Sequence, residues 1–261
     1  MKPQLMTITP KIAKQMLQAN ARNRQVSEPN VARLTKEMKS GRWKLNGDMI
    51  RRSKDGNILD GQHRLMAVVR SGVTIQSWVM DDVPDDVFDT IDVGKKRSTA
   101  DTLSCLGEKN ARDLAATLTL IERYMTGRAE SQVEYSNSEM EGLLIKYPDV
   151  REHLVSNGNR TPLIQPSVLN CCHYLFSKKD PELANEFIEK VVRGIGLEMG
   201  DPWYVLRERL VENSISKAKL PKTQVWALCI KAWNYARDGK RISCLKLIRE
   251  GPHAEGVPVV R

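Results

Sequence analysis

What most limits the fold of this chain is a change of pattern near residue 105. Before it, helical and extended signals alternate. One helix pattern runs from Thr9-Pro10 to about Asn20 and another from Ser27 to Ser40, closed by Gly41. Two short β-rich runs follow, "DMIRRS" and "NILD", joined by Lys54-Asp55-Gly56-Asn57, whose Asp-Gly pair suits a tight hairpin. A helix then opens at Gly61 and closes at Ser71-Gly72, and "VTIQSWVM" alternates as a half-buried strand does. From Ser98 onward the segments, from "STADTLSCLG" to "KTQVWALCIKAWNYARDG", read almost entirely as helices, several opening beside Pro and ending on Gly. The expected class is α+β: a small mixed domain over residues 1–105 followed by an all-α helical domain over 106–261. No repeat of solenoid period and no low-complexity linker separates them.

With 261 residues, 41% hydrophobic and 28% charged, the chain can bury a core and is neither disordered nor fibrous. No apolar run approaches bilayer length, and "MKPQLMTITPK" lacks the apolar centre of a signal peptide, so a cytoplasmic location without a membrane partner is expected. Five cysteines without a C-x-x-C spacing read as reduced thiols, which excludes a disulfide scaffold.

The most informative chemistry lies in "NILDGQHRLMAVV", Asn57 to Val69, where a strand ends in Asp60-Gly61 and turns directly into a helix opening Gln62-His63-Arg64. The first N–H groups of such a helix point at one spot where the macrodipole favours an anion. Gly61 allows close backbone approach, Arg64 can fork onto phosphate oxygens, and His63 can donate a hydrogen bond or move a proton. The same residues equally allow a His-Arg pair that caps the helix and salt-bridges to Asp60.

"LDGQHRLMAV", after a helix ending "MKSGRWKLNGDMI" and before a strand, resembles the N-terminal domain of the ParB/sulfiredoxin superfamily, in its DGQHR-type branch common in phage and mobile-element genes. The resemblance covers roughly the first 105 residues. It implies a sulfiredoxin-like fold and a site for a nucleoside triphosphate, CTP or ATP, with Mg²⁺ as a candidate companion. The matching box is G-E-R-R in ParB proteins, where it holds the CTP triphosphate, and G-C-H-R in sulfiredoxin, where the cysteine attacks a phosphoryl group. Carried onto this sequence, Gly61, His63 and Arg64 would contact phosphate, flanked by Asp60, while Gln62 stands at the nucleophile's position. Glutamine cannot perform that attack, so sulfiredoxin chemistry is not expected.

Two further stretches border this domain. In "IDVGKKRSTADTL", Ser98 and Asp101 form a capping-box pattern, and Lys95, Lys96 and Arg97 precede a helix start; Asp92 and Arg97 are candidates for holding the nucleotide's far end. In "NGDMI", Asn46 and Asp48 enter the hairpin, and Asp48 is the candidate catalytic base. The acidic run "MDDVPDDVFDTID" fits the first turn of a short helix starting at Pro84 as well as it fits Mg²⁺ attraction.

The net charge of +9 is concentrated near the C-terminus. Between Ser214 and Arg249 stand Lys217, Lys219, Lys222, Lys231, Arg237, Lys240, Arg241, Lys246 and Arg249, with Asp238 the single acid. Such a patch suits phosphate-backbone contact with nucleic acid, and Lys217, Lys219, Lys222, Lys240 and Arg241 are the candidate DNA contacts; a solvated helix face gives the same pattern. Trp226 and Trp233, seven apart on one helical face, are expected in the core.

Cys171-Cys172-His173 are consecutive on a helix pattern and diverge by about 100° per residue, so they do not form a metal site, and His153 and His253 show no ligand spacing. P-loop, hydrolase-elbow and zincin motifs are absent. The leading expectation is a ParB-like nucleotide-binding protein acting on or with DNA. A phosphotransferase or nuclease using the same phosphate site, and a non-catalytic interaction module, are the alternatives; NTP hydrolysis and homo-oligomerisation stay open.

Overall fold

The computed structural model describes residues 1–19, 26–84, 91, 98–155, 161–248 and 255–261. Two compact units make up the chain, Met1–Lys96 and Arg97–Arg261. The first contains β1 (Pro3–Ile8), α1 (Pro10–Leu17), α2 (Glu28–Lys39), β2 (Met49–Ser53), β3 (Ile58–Asp60), α3 (Gln62–Ser71) and β4 (Ile75–Val83). The strands form one sheet in the order β1-β4-β2-β3. β4 runs antiparallel to β1 and parallel to β2, and β2 is antiparallel to β3.

Local chemistry accounts for most of these elements. Thr9 accepts a hydrogen bond from the Ile12 N–H and Pro10 occupies the first helical position, so α1 starts there. Gly72, in the left-handed region, ends α3 as "SG" predicts. Ile75, Ser77 and Val79 alternate toward the core along β4, meeting Ile8, Ile50 and Ile58 of the sheet and Met16, Val31, Met38, Leu65 and Val68 of the helices. β1 is a strand that the sequence reading does not anticipate. Only Ile8 within it is buried, so no two-residue apolar period marks it, and it exists because β4 offers a paired edge.

The second unit contains α4 (Thr99–Cys105), α5 (Ala111–Met125), α6 (Asn137–Lys146), a 3₁₀ turn (Pro148–His153), α7 (Pro166–Ser177), α8 (Pro181–Phe187) with a π-helical extension (Ile188–Arg193), α9 (Pro202–Ile215) and α10 (Lys222–Arg237). The chain is therefore α+β, with its sheet in the first unit and the described elements of the second all helical. Leu103 of α4 is fully buried in the second unit's core. Ser98 and Asp101 cap α4 reciprocally, and Ser136 and Glu139 do the same for α6. Trp226 and Trp233 are fully buried, as their spacing predicts, and Phe176 stacks on Trp233 with ring centroids 4.1 Å apart. Cys171 and Cys172 are also fully buried. Among the described residues no helix is long and apolar enough to cross a membrane. The helix expected from Pro84 falls on residues outside the described ones.

Candidate functional site

The turn from β3 into α3 brings together most of the residues singled out in the first unit. Gly61 caps α3 with φ +98°. A Cβ added there would meet Ile50 Cγ1 at 2.9 Å and Ile50 Cα at 3.3 Å. The glycine is therefore required by the left-handed turn and by the β2 backbone beneath it. Having no side chain, Gly61 leaves the start of α3 without a side-chain cap.

Arg64, in the first turn of α3, reaches Asp48, just before β2, and Ser77 of β4. Its Nη1 donates to the Asp48 carbonyl at 3.1 Å and lies 3.4 Å from Ser77 Oγ, and its Nη2 is 3.8 Å from Asp48 Oδ2. The Trp43 ring lies 5.8 Å from the guanidinium carbon, within cation–π range. Asp48 is itself fixed: its N–H donates to Asn46 Oδ1 at 3.0 Å, and Asn46 Nδ2 donates to Asp48 Oδ2 at 3.1 Å. The Asp48 side chain is 70% exposed and that of Arg64 only 13%, so the cation is held while the carboxylate faces solvent.

The other members of the box have different surroundings. Asp60 accepts from Arg51 Nη1 at 2.6 Å. Gln62 and His63 are buried, and His63 Nε2 accepts from the Ser27 N–H at 2.9 Å. That bond leaves the ring proton to Nδ1 and ties the start of α3 to the start of α2. Trp43, Arg51 and Ser77 belong to the site without having been anticipated. Ser77 had one readable signal, a hydroxyl at an inward position of an otherwise apolar stripe. Asp92 and Arg97 lie outside the described residues, as do Arg249 and His253.

In the second unit the candidate DNA contacts differ in setting. Lys217, Lys219, Lys240 and Arg241 are exposed, whereas Lys222 is half-buried. Lys219 Nζ donates to the Ser214 carbonyl. Lys240 lies 3.1 Å from Asp238, the acid already within this segment, and Arg241 lies 3.5 Å from Glu198, an acid that the fold brings up from outside it to offset part of the linear charge excess. A groove of about 510 Å³ beside them is lined by Glu208 and Glu212 as well as Arg209 and Lys246, a mixed lining ill-suited to a polyanion. Among the described residues no cluster of three or more His, Cys, Asp or Glu side chains is placed to hold a metal ion. Asp48, a single carboxylate, fits Mg²⁺ only where nucleotide phosphates complete the coordination.

No family model, no curated protein and no solved structure matches the chain.

Proposed function

We propose that the first unit binds the phosphates of a nucleoside triphosphate, CTP or ATP, at the start of α3, and that the protein acts on or with DNA in the manner of the ParB-like proteins its DGQHR box resembles. The observation that carries this reading is Arg64. A guanidinium held by the Asp48 carbonyl stands in the first turn of a helix whose macrodipole already favours an anion. Exposed Lys217, Lys219, Lys240 and Arg241 support the nucleic-acid part. Titration calorimetry with CTP and ATP, with and without Mg²⁺, tests it. Arg64→Ala should weaken binding by about 1.5–3 kcal/mol, the worth of a charged hydrogen bond. Arg64→Lys, which keeps the charge and loses the fork, separates phosphate recognition from loss of fold. Absence of nucleotide binding in the wild type overturns the reading.

A second reading, phosphoryl transfer or phosphodiester cleavage at the same place, is favoured by one observation. The Asp48 carboxylate is exposed, aligned by Asn46, and 3.8 Å from Arg64, the arrangement of a base beside a phosphate-binding cation. Time-dependent product from nucleotide or DNA distinguishes it from binding alone.

A further inference from the structure

Two histidines without ligand spacing in the sequence meet in the second unit. His153 ends the 3₁₀ turn, His173 lies in α7, and their Nδ1 atoms stand 3.2 Å apart. That separation suits either a hydrogen bond or two ligands of one metal ion, and the ring centres help to tell them apart. A hydrogen bond running straight along both nitrogen directions would put the ring centroids about 5.5 Å apart, since each nitrogen lies about 1.15 Å from its ring centre. Two nitrogens aimed at one ion from about 2.05 Å, the Zn–N length, would put the centroids about 5.0 Å apart. The observed separation is 5.1 Å. The nitrogen directions turn away from the line joining them, as those of paired ligands do. At the Zn–N length the 3.2 Å separation subtends about 100–105° at the ion, close to the tetrahedral angle that zinc adopts. The right angle of octahedral or square-planar ions would bring the nitrogens to about 2.9 Å.

A metal ligand also needs a bare nitrogen. Asn185 Oδ1 of α8, which can only accept, lies 3.3 Å from His173 Nε2, so that nitrogen carries the ring proton and His173 Nδ1 keeps its lone pair. A ligating histidine is held in this way, with its far N–H on an oxygen. Without metal, His153 Nδ1 donates to His173 Nδ1. His153 Nε2 has no protein partner among the described residues and is able to take up a proton from water as Nδ1 gives one up. The ion then replaces the shared proton, and both rings stay neutral. Among the described residues no third His, Cys, Asp or Glu completes a set with the pair, so the remaining positions on the ion fall to water or an outside ligand.

The geometry points to a binding site for a divalent transition-metal ion, zinc by bond length and angle, formed by the Nδ1 atoms of His153 and His173, with Asn185 holding the His173 tautomer. Mg²⁺, which takes oxygen ligands, is not bound there. The site lies in the second unit and does not depend on the nucleotide reading.

The test is calorimetry of the full chain, freed of metal by a chelator and titrated with zinc chloride at about pH 7.5, above the ordinary imidazole value, with magnesium chloride as the control. One zinc ion per chain should bind and raise the melting temperature by mass action. His153→Gln and His173→Gln should each lose at least about a hundredfold in zinc affinity, and Asn185→Ala about tenfold, as expected for an exposed outer partner. Cys105→Ser, Cys244→Ser and His253→Gln should keep the wild-type affinity, which excludes the exposed thiols and the remaining C-terminal imidazole as the ligands. Absence of zinc binding in the wild type, or binding that both His153→Gln and His173→Gln retain, overturns the proposal. Glutamine preserves a hydrogen bond across the pair, so both variants should fold. If either does not, the ring ¹⁵N resonances of the wild type decide. The Nδ1 signals of two histidines must then move together with one equivalent of zinc, and neither may be a signal that His63→Gln or His253→Gln removes.

Discussion

The Nδ1 atoms of His153 and His173 face each other at 3.2 Å, joining the 3₁₀ turn to α7 across 20 residues of sequence. One nitrogen must donate and the other accept, so the contact requires at least one neutral ring. His173 Nε2 also meets Asn185 Oδ1 at 3.3 Å, and the Tyr174 ring stands edge-on to His153 with centroids 5.3 Å apart. Burial lowers the pKa of His153, helped by the charge of His173 and opposed by Asp149, and burial lowers that of His173 as well.

Both groups therefore bind protons less readily folded than unfolded, and the sign follows. The stability they confer is present above the ordinary value of 6.5 and is lost as pH falls through it toward the lowered folded values. Each proton taken up on unfolding contributes at most about 1.4 kcal/mol per pH unit. Urea titrations between neutral and mildly acidic pH should show a slope that His153→Gln reduces, since glutamine keeps a hydrogen bond to His173 without titrating. Equal slopes in the two proteins would show that the pair does not set the dependence.

Gly61→Ala should destabilise the first unit by at least about 2 kcal/mol, from a strained left-handed turn and a clash with Ile50. Gly56 is a matched control. Its φ is +81°, but no atom lies within 4 Å of an added Cβ, so Gly56→Ala should cost only about 1 kcal/mol. Unfolding midpoints in denaturant measure the difference. Equal losses would mean that backbone strain alone matters and that the Ile50 contact is relieved by a small shift.

If the protein turns over a nucleotide or DNA, Asp48→Asn should lower the rate roughly 10²–10⁴-fold, because the amide cannot take a proton. Gln62→Ala should leave the rate nearly intact and act on stability instead, since Gln62 is only 3% exposed. A steady-state product assay on both variants, with their melting curves, decides; the reverse ranking removes Asp48 from the role of base.

Binding to duplex DNA should weaken steeply with salt, with a logarithmic slope of about −0.9 for each phosphate neutralised. Lys240→Glu combined with Arg241→Glu should reduce both affinity and slope. The surface ion pairs of these residues with Asp238 and Glu198 are worth little, about 1 kcal/mol or less each, and do not bar them from phosphate. Fluorescence anisotropy at several salt concentrations measures this, and a flat response would make the patch a solvated face.

Features that the sequence determined by itself depend on neighbours a few residues apart. The capping box of Ser98 and Asp101, the stop at Gly72, the hairpin between β2 and β3 and the burial of Trp226 and Trp233 follow from spacing, because helix periods and turn dihedrals are set within one or two turns of chain. Tertiary structure alone decided what meets across long separations. β1 pairs with β4, Arg64 turns to the Asp48 carbonyl, the bare side of Gly61 packs on Ile50, and His153 finds His173. In each case a strand edge, a polar group or an apolar contact had several chemically equivalent partners in the sequence. Only the closed core, which puts Ile50 beneath Gly61 and Ser77 beside Arg64, selects one of them, since packing leaves room for a single arrangement.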